Sequence, residues 1–302
     1  MQYRGLAFQI GGDKSLDEHI TLPNILRKFN PKVFGYSNGI GSANVWEISR
    51  LNQGIPGAES GDLPSQARTL VSLMKQHSEV NLHQDWKLVN IFIGANDVCG
   101  WCNTNGTGMH SKETFKQNLV NTLNILRDGL PRTIVSLTGM FDMTMLRKID
   151  KGLEFCDELH VFECSCEKNK NFPDSLMRSA CQGFMSVEQD IQESGMFDTT
   201  DDFTFVVQPF LNLIHEPPRK PDGTIDLTWF APDCFHFSQL GHANVAKHLW
   251  NSIIMPVGFK PPSVNLSDST IPLYCPSKMC PYFPTTKNTN QQCTKVENPI
   301  IN

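Results

Sequence analysis

The sequence predicts an α/β domain, a parallel sheet with helices on both faces, and three observations carry that prediction. Short apolar runs rich in β-branched and aromatic residues recur along the chain, as buried strands require. Amphipathic helical stripes alternate with them, the pattern of consecutive βαβ units. The chain of 302 residues, 39% of them apolar, suffices for one large domain.

In order, strands are predicted over residues 32–37, 88–94, 133–138 and 203–208. A helix over residues 62–75 buries Leu63, Ala67, Leu70, Val71 and Met74 on one face. In the next helical segment Phe115, Leu119, Leu123 and Leu126 share a face. A last helix starts near Ser238, carries Leu240, Val245, Leu249, Trp250 and Ile253, and stops at Pro256. The domain so defined covers residues 1–258. Residues 259–302 turn to Pro, Ser, Thr and Asn and are expected to form a C-terminal tail or surface wrap, pinned in part by Cys275, Cys280 and Cys293.

A net charge of −5 leaves no basic stripe, which argues against a nucleic-acid partner or a polybasic membrane patch. The chain holds neither a signal peptide nor an apolar run long enough to span a bilayer. Ten cysteines and two N-glycosylation acceptor patterns, Asn105-Gly-Thr and Asn265-Leu-Ser, nevertheless favour an oxidising, extracellular setting. Disulfides are therefore the expected use of the cysteines, with Cys99–Cys102, Cys156 to Cys164 or Cys166, and Cys234–Cys275 as candidate pairs. Zinc at Cys99-x-x-Cys102 and Cys164-x-Cys166 lacks a convincing second half, so neither metal nor cofactor is expected.

Three segments offer chemistry. The 88–94 strand runs into Gly94-Ala-Asn96-Asp97, where an Asn amide at a strand's C-terminal end can donate to a developing oxyanion; an ordinary Asn/Asp turn has the same spelling. In Asp233-Cys-Phe-His236, three residues of loop let a carboxylate fix the tautomer of a histidine base, although a cap beside a surface histidine reads alike. Asn52-Gln-Gly54-Ile-Pro-Gly57-Ala58 could aim backbone N–H groups at an anion, or merely need positive φ.

The order and spacing of these segments resemble the GDSL/SGNH hydrolases, and within them the phospholipase B-like repeat. The likeness runs over about residues 2–285 and includes Gln2-Tyr-Arg-Gly5, Gly11-Gly-Asp13, Thr21-Leu-Pro-Asn-Ile-Leu26, Asp85-Trp-Lys87, Phe92-Ile-Gly-Ala-Asn-Asp97, Gln208-Pro-Phe210 and Asp233-Cys-Phe-His-Phe237. It implies a three-layer α/β/α fold with flavodoxin-like strand order 2-1-3-4-5. It also implies metal-independent hydrolysis of phospholipid and lysophospholipid esters at a membrane or micelle surface by a Ser-His-Asp triad, in a parent protein that is extracellular or held at the cell surface. Carried over by position, His236 is the base, Asp233 its orienting carboxylate, and Gly57 and Asn96 the oxyanion donors; Asp97 holds the turn.

The family's nucleophile sits in a Gly-Asp-Ser-Leu segment after the first strand, upstream of Tyr3. The expectation is thus a chain truncated at its N-terminus, lacking that strand and its serine and inactive alone. Ser15, in Gly12-Asp13-Lys14-Ser15-Leu16, is a poor substitute because Lys14 interrupts the motif. A non-catalytic lipid-binding pseudoenzyme and a carbohydrate esterase of the same fold are the alternative readings. His242 is expected to pack on the last helix, while His83, His110, His160 and His215 show no partner pattern.

Overall fold

The computed structural model describes residues 2–151, 153–289, 293 and 297–299. Its centre is a parallel sheet of β1 (Lys87–Ile91), β2 (Thr133–Thr138) and β3 (Phe203–Gln208), hydrogen-bonded in the order β1-β2-β3. That order agrees with the last three strands of the expected arrangement. Every residue of β3 is buried and β2 is nearly so, as in a strand covered on both faces.

The helices are α1 (Leu22–Phe29), α2 (Trp46–Ser49), α3 (Leu63–Gln76), α4 (Ala95–Thr104), α5 (Lys112–Gly129), α6 (Thr144–Asp150), α7 (Glu154–Glu163), α8 (Ser165–Lys168), α9 (Asp174–Glu193) and α10 (Gln239–Ile253). α5 packs between α3 and α9, whereas α10 packs against α1 and β3. Their boundaries follow local chemistry. Pro64 opens α3, Ser111 caps α5 by accepting from the Thr114 N–H, and Ser238 caps α10 by accepting from the Gly241 N–H. The stripes of α3 and α5 are buried as predicted. In α10, Val245, Leu249, Trp250 and Ile253 are buried, but Leu240, in the first turn, is exposed.

Two strand predictions need correction. Residues 92–94 leave the sheet after β1 because Gly94 turns the chain with φ 112°. Residues 32–37 form no strand: only Ser37 pairs, in a single parallel bridge with Gly11. Gly35, at φ 99°, breaks the extended run. Among the described residues β2 is therefore the one strand that pairs with β1, and β1 and Val33–Tyr36 both line a cleft of about 1740 Å³.

The cysteines form four disulfides, Cys99–Cys164, Cys102–Cys166, Cys156–Cys234 and Cys280–Cys293, leaving Cys181 and Cys275 as thiols. None of the candidate pairs named from sequence forms. Cys99 and Cys102 each bond to α8 or the residue before it, which clamps α4 to that segment and leaves no thiolate for zinc. Cys280–Cys293 ties the C-terminal segment, which lies over α10: the Trp250 indole donates to the Tyr274 carbonyl, and Leu266 and Leu273 are buried. Of the expected tail, residues 290–292, 294–296 and 300–302 lie outside the described residues. Asn105 and Asn265 are both exposed.

Candidate active site

The cleft beside β1 gathers three sequence-predicted groups, for Gly57, Asn96 and His236 all line it. Each arrives from a different element. Asn96 lies in the first turn of α4, delivered there by the left-handed Gly94. Its side-chain amide donates to the Ala58 carbonyl at 2.9 Å, which docks it against the Gly57 loop. An amide nitrogen carries two hydrogens, so one remains for another acceptor.

The Gly57 loop is held from behind. Asp97, buried in the same turn, accepts from the Ser60 N–H at 2.9 Å and the Ser60 hydroxyl at 2.5 Å. Burial raises its pKa, with those hydrogen bonds opposing. Arg4, also buried, donates to the carbonyls of Asn52 at 3.2 Å and Gly54 at 2.7 Å. Gly57 has φ 77°, a conformation that disfavours any side chain, and nothing lies within 4 Å of where a Cβ would stand. Its backbone is thus open to the cleft.

Opposite them, His236 Nδ1 lies 3.0 Å from Asp233 Oδ2, while Asp233 Oδ1 accepts from the N–H groups of Phe235 at 3.0 Å and His236 at 2.9 Å. The carboxylate is therefore tied to both ring and backbone of the loop it orients. Partial burial would raise the Asp233 pKa, but these bonds hold it down at about 2. The His236 pKa is raised, chiefly by its bond to Asp233 against the opposing effect of burial. The His236 side chain remains 62% exposed, so its Nε2 edge can reach a reactant.

Ser15 lies elsewhere. It is exposed, its hydroxyl donates to Glu18 at 2.8 Å, and none of the described serines lines the cleft. The Gly12–Leu16 stretch serves structure instead, with Asp13 accepting from the Gly39 N–H at 2.9 Å. His242 packs as expected, stacked on Phe8 and edge-on to Phe237; burial pushes its pKa down to about 4. Phe237 lines the cleft, whereas Phe210 and Trp229 are core.

Other histidines do have partners that spacing concealed: His110 with Glu59 at 3.3 Å, His215 with Asp142 at 2.7 Å, and His160 with Asp150 at 2.7 Å. Among the described residues two groups bring three potential ligand atoms within 4.8 Å, Asp150/His160/Glu167 and Glu163/Asp233/His236. In the first, the Lys168 ammonium already bridges Asp150 and Glu167. The second is the Asp233–His236 pair with Glu163 beside it.

The profile of the GDSL-like lipase/acylhydrolase family matches residues 8–249. The chain is also similar to the protein named phospholipase B1, membrane-associated, from three mammals. Identity is 38% over 295 residues in Rattus norvegicus, 37% over 294 in Mus musculus and 36% over 299 in Homo sapiens. Each match covers 96% of this chain and 20% of the relative, so the chain spans about a fifth of their length. With the family's profile covering most of its residues, the chain belongs to the GDSL-like lipase/acylhydrolase family.

Proposed function

We propose that this chain is the base-and-oxyanion part of a lipid esterase of phospholipase type, acting on phospholipid and lysophospholipid esters. The observation that carries the reading is the common cleft, with the Asp233–His236 pair, the open Gly57 backbone and the Asn96 amide on its lining or at its rim. Such a set suits acyl transfer through a tetrahedral intermediate. A serine hydroxyl from outside these 302 residues attacks the ester carbonyl, and His236 takes its proton. Gly57 N–H and the free hydrogen of the Asn96 amide receive the negative oxygen. His236 returns the proton to the leaving alcohol, and water then cleaves the acyl-enzyme by the same steps. Chemistry of this kind uses no metal.

The relatives' printed name supports lipid as the substrate class, and so does the apolar lining that Phe92, Phe141, Phe235 and Phe237 give the cleft. A lipid surface is the natural setting. Phe155 and Phe162, 65% and 87% exposed on α7, stand one above the other on the helix that abuts the His236 loop. Four disulfides and two exposed glycosylation acceptors favour an extracellular or cell-surface location; among the described residues no helix is long and apolar enough to cross a membrane.

The test is labelling of the full-length protein by a fluorophosphonate probe. The reading expects labelling that is lost in His236→Ala, and hydrolysis of phospholipid in preference to acetylated sugar. A folded, serine-bearing protein that takes up no label would refute it and favour a lipid-binding role.

A further inference from the structure

Beneath the His236 loop lies a buried ionic cluster that the proposed chemistry does not use. His160, on the inner face of α7, is fully buried. Its Nδ1 is 2.7 Å from Asp150 Oδ1, and its Nε2 is 3.0 Å from the carbonyl oxygen of Asp233. A carbonyl can only accept, and an ionised carboxylate can only accept. Nε2 carries the hydrogen it donates to Asp233, and a bare lone pair on Nδ1 would be repelled by a carboxylate oxygen 2.7 Å away, so the geometry favours an imidazolium at His160, between Asp150 and the 233–236 loop.

That loop needs a clamp. Cys234, between Asp233 and Phe235, has φ 61°, a left-handed conformation unfavourable for a residue with a side chain. Two attachments from α7 hold it: the Cys156–Cys234 disulfide and the His160 bond to Asp233. The Phe235 ring also lies edge-on to His160, 5.6 Å between centroids.

We propose that His160 is a positioning residue for the Asp233–His236 pair, an imidazolium that fixes the Asp233 carbonyl and releases it on losing a proton. The inference rests on the assignment of His236 as general base. When His160 becomes neutral, its remaining proton stays on Nδ1, facing the stronger acceptor, Asp150. The Nε2 lone pair then opposes the Asp233 carbonyl, and the loop is repelled where it had been held.

The surrounding charges favour the protonated form on balance. Asp150 comes from α6, Glu167 and Lys168 from α8, Asp157 and Glu163 from α7 itself, and Asp233 and His236 from the loop. Lys168 neutralises part of the acidic charge by pairing with Asp150, Asp157 and Glu167, while Arg147 lies 3.7 Å from Glu167. Burial disfavours the imidazolium, but Asp150 and the Asp233 carbonyl outweigh it, so the His160 pKa is raised. A group raised in this way acts below its folded pKa and is lost as pH rises through it.

The experiment measures kcat and KM against pH for the full-length protein on a soluble aryl ester, in the wild type, His160→Gln, His160→Asn, Asp150→Asn and His236→Ala. Glutamine places an amide near the Nε2 position and asparagine near Nδ1, and neither titrates. His160→Asn is expected to lower kcat about ten- to a hundred-fold with KM little changed, as for a displaced catalytic group. His160→Gln is expected to restore most of that kcat and to remove the alkaline fall in rate expected of the wild type. Asp150→Asn, with His160 intact, moves that fall to lower pH, a result that stands even if the His160 variants fail to fold. Asparagine and glutamine variants of equal kcat, or an alkaline limb unmoved by Asp150→Asn, overturn the proposal. Activity surviving in His236→Ala overturns the base assignment itself; an inert His236→Ala beside an unaltered His160→Asn overturns this inference alone.

Discussion

At the scale of single residues, catalytic capacity depends on which proton sits where. His236 has a raised pKa because Asp233 stabilises its charged form, yet in its proposed role as general base it must be neutral. The rate of the full-length protein should therefore climb with pH, with the midpoint of the rise above the usual histidine value of about 6.5, before the alkaline fall expected from loss of the His160 proton. Asp233→Asn should remove the elevation along with most of the turnover, by about 10⁴-fold as in a triad that loses its orienting carboxylate; a profile unchanged by Asp233→Asn would show that the base lies elsewhere. Asn96→Ala is expected to lower kcat by about 10²–10³-fold while leaving the fold intact, the usual effect of removing one oxyanion donor. Acidification undoes the pair differently. Asp233 is held at about 2, so its stabilising bonds are complete above the unfolded value and vanish as pH falls through the folded one. Glu188 behaves oppositely: it is fully buried, and burial pushes its pKa up to about 8 against the opposing hydrogen bond it accepts from the Met140 N–H. An acid raised in this way lowers stability as pH rises between its unfolded and folded values. Glu188→Gln should raise the melting temperature relative to wild type more at about pH 8 than at about pH 5; equal differences at both would contradict a buried neutral carboxyl.

At the scale of elements, α7 connects the site to its surroundings. Its inner face carries Cys156 and His160, both anchored to the 233–236 loop, and its outer face carries Phe155 and Phe162. Replacing both phenylalanines by serine should weaken turnover on vesicles severalfold while leaving hydrolysis of a soluble aryl ester unchanged; equal effects on the two substrates would remove α7 from the lipid interface. The elements were unequally legible in the sequence. β2 and β3 were readable to the residue because Thr133–Thr138 and Phe203–Gln208 are short, apolar-rich runs covered on both faces, with Ile134 alone among them half-buried. The 32–37 run has comparable apolarity, but Gly35 and the lack of a continuous ladder partner keep it out of the sheet. Leu240 satisfied the helical period yet falls in the exposed first turn of α10, where the stripe has not yet met the core.

At the scale of the whole molecule, long-range pairing is what spacing could not deliver. The bridges Cys99–Cys164, Cys102–Cys166 and Cys156–Cys234 join residues 65, 64 and 78 apart, and local proximity pointed to none of them. His160 and Asp233 are 73 positions apart, so no motif announced their contact. By contrast, the Asp233–His236 bond lies within one loop and follows from three residues of separation. Gly57 and Asn96 needed the fold, since only the docking of α4 on the 52–58 loop brings them to one cleft. The family resemblance named both residues as oxyanion donors, and that role belongs to the proposed chemistry. β1 remains the pivot, its open edge along the cleft and its C-terminal turn delivering Asn96.

The most direct measurement is a crystal structure of the full-length protein carrying a phosphonate adduct. The adduct is expected on a serine whose Oγ lies within hydrogen-bond reach of His236 Nε2, with the phosphoryl oxygen about 2.7–3.1 Å from both Gly57 N and Asn96 Nδ2. An adduct formed away from this cleft, or a phosphoryl oxygen that meets neither donor, would contradict that expectation.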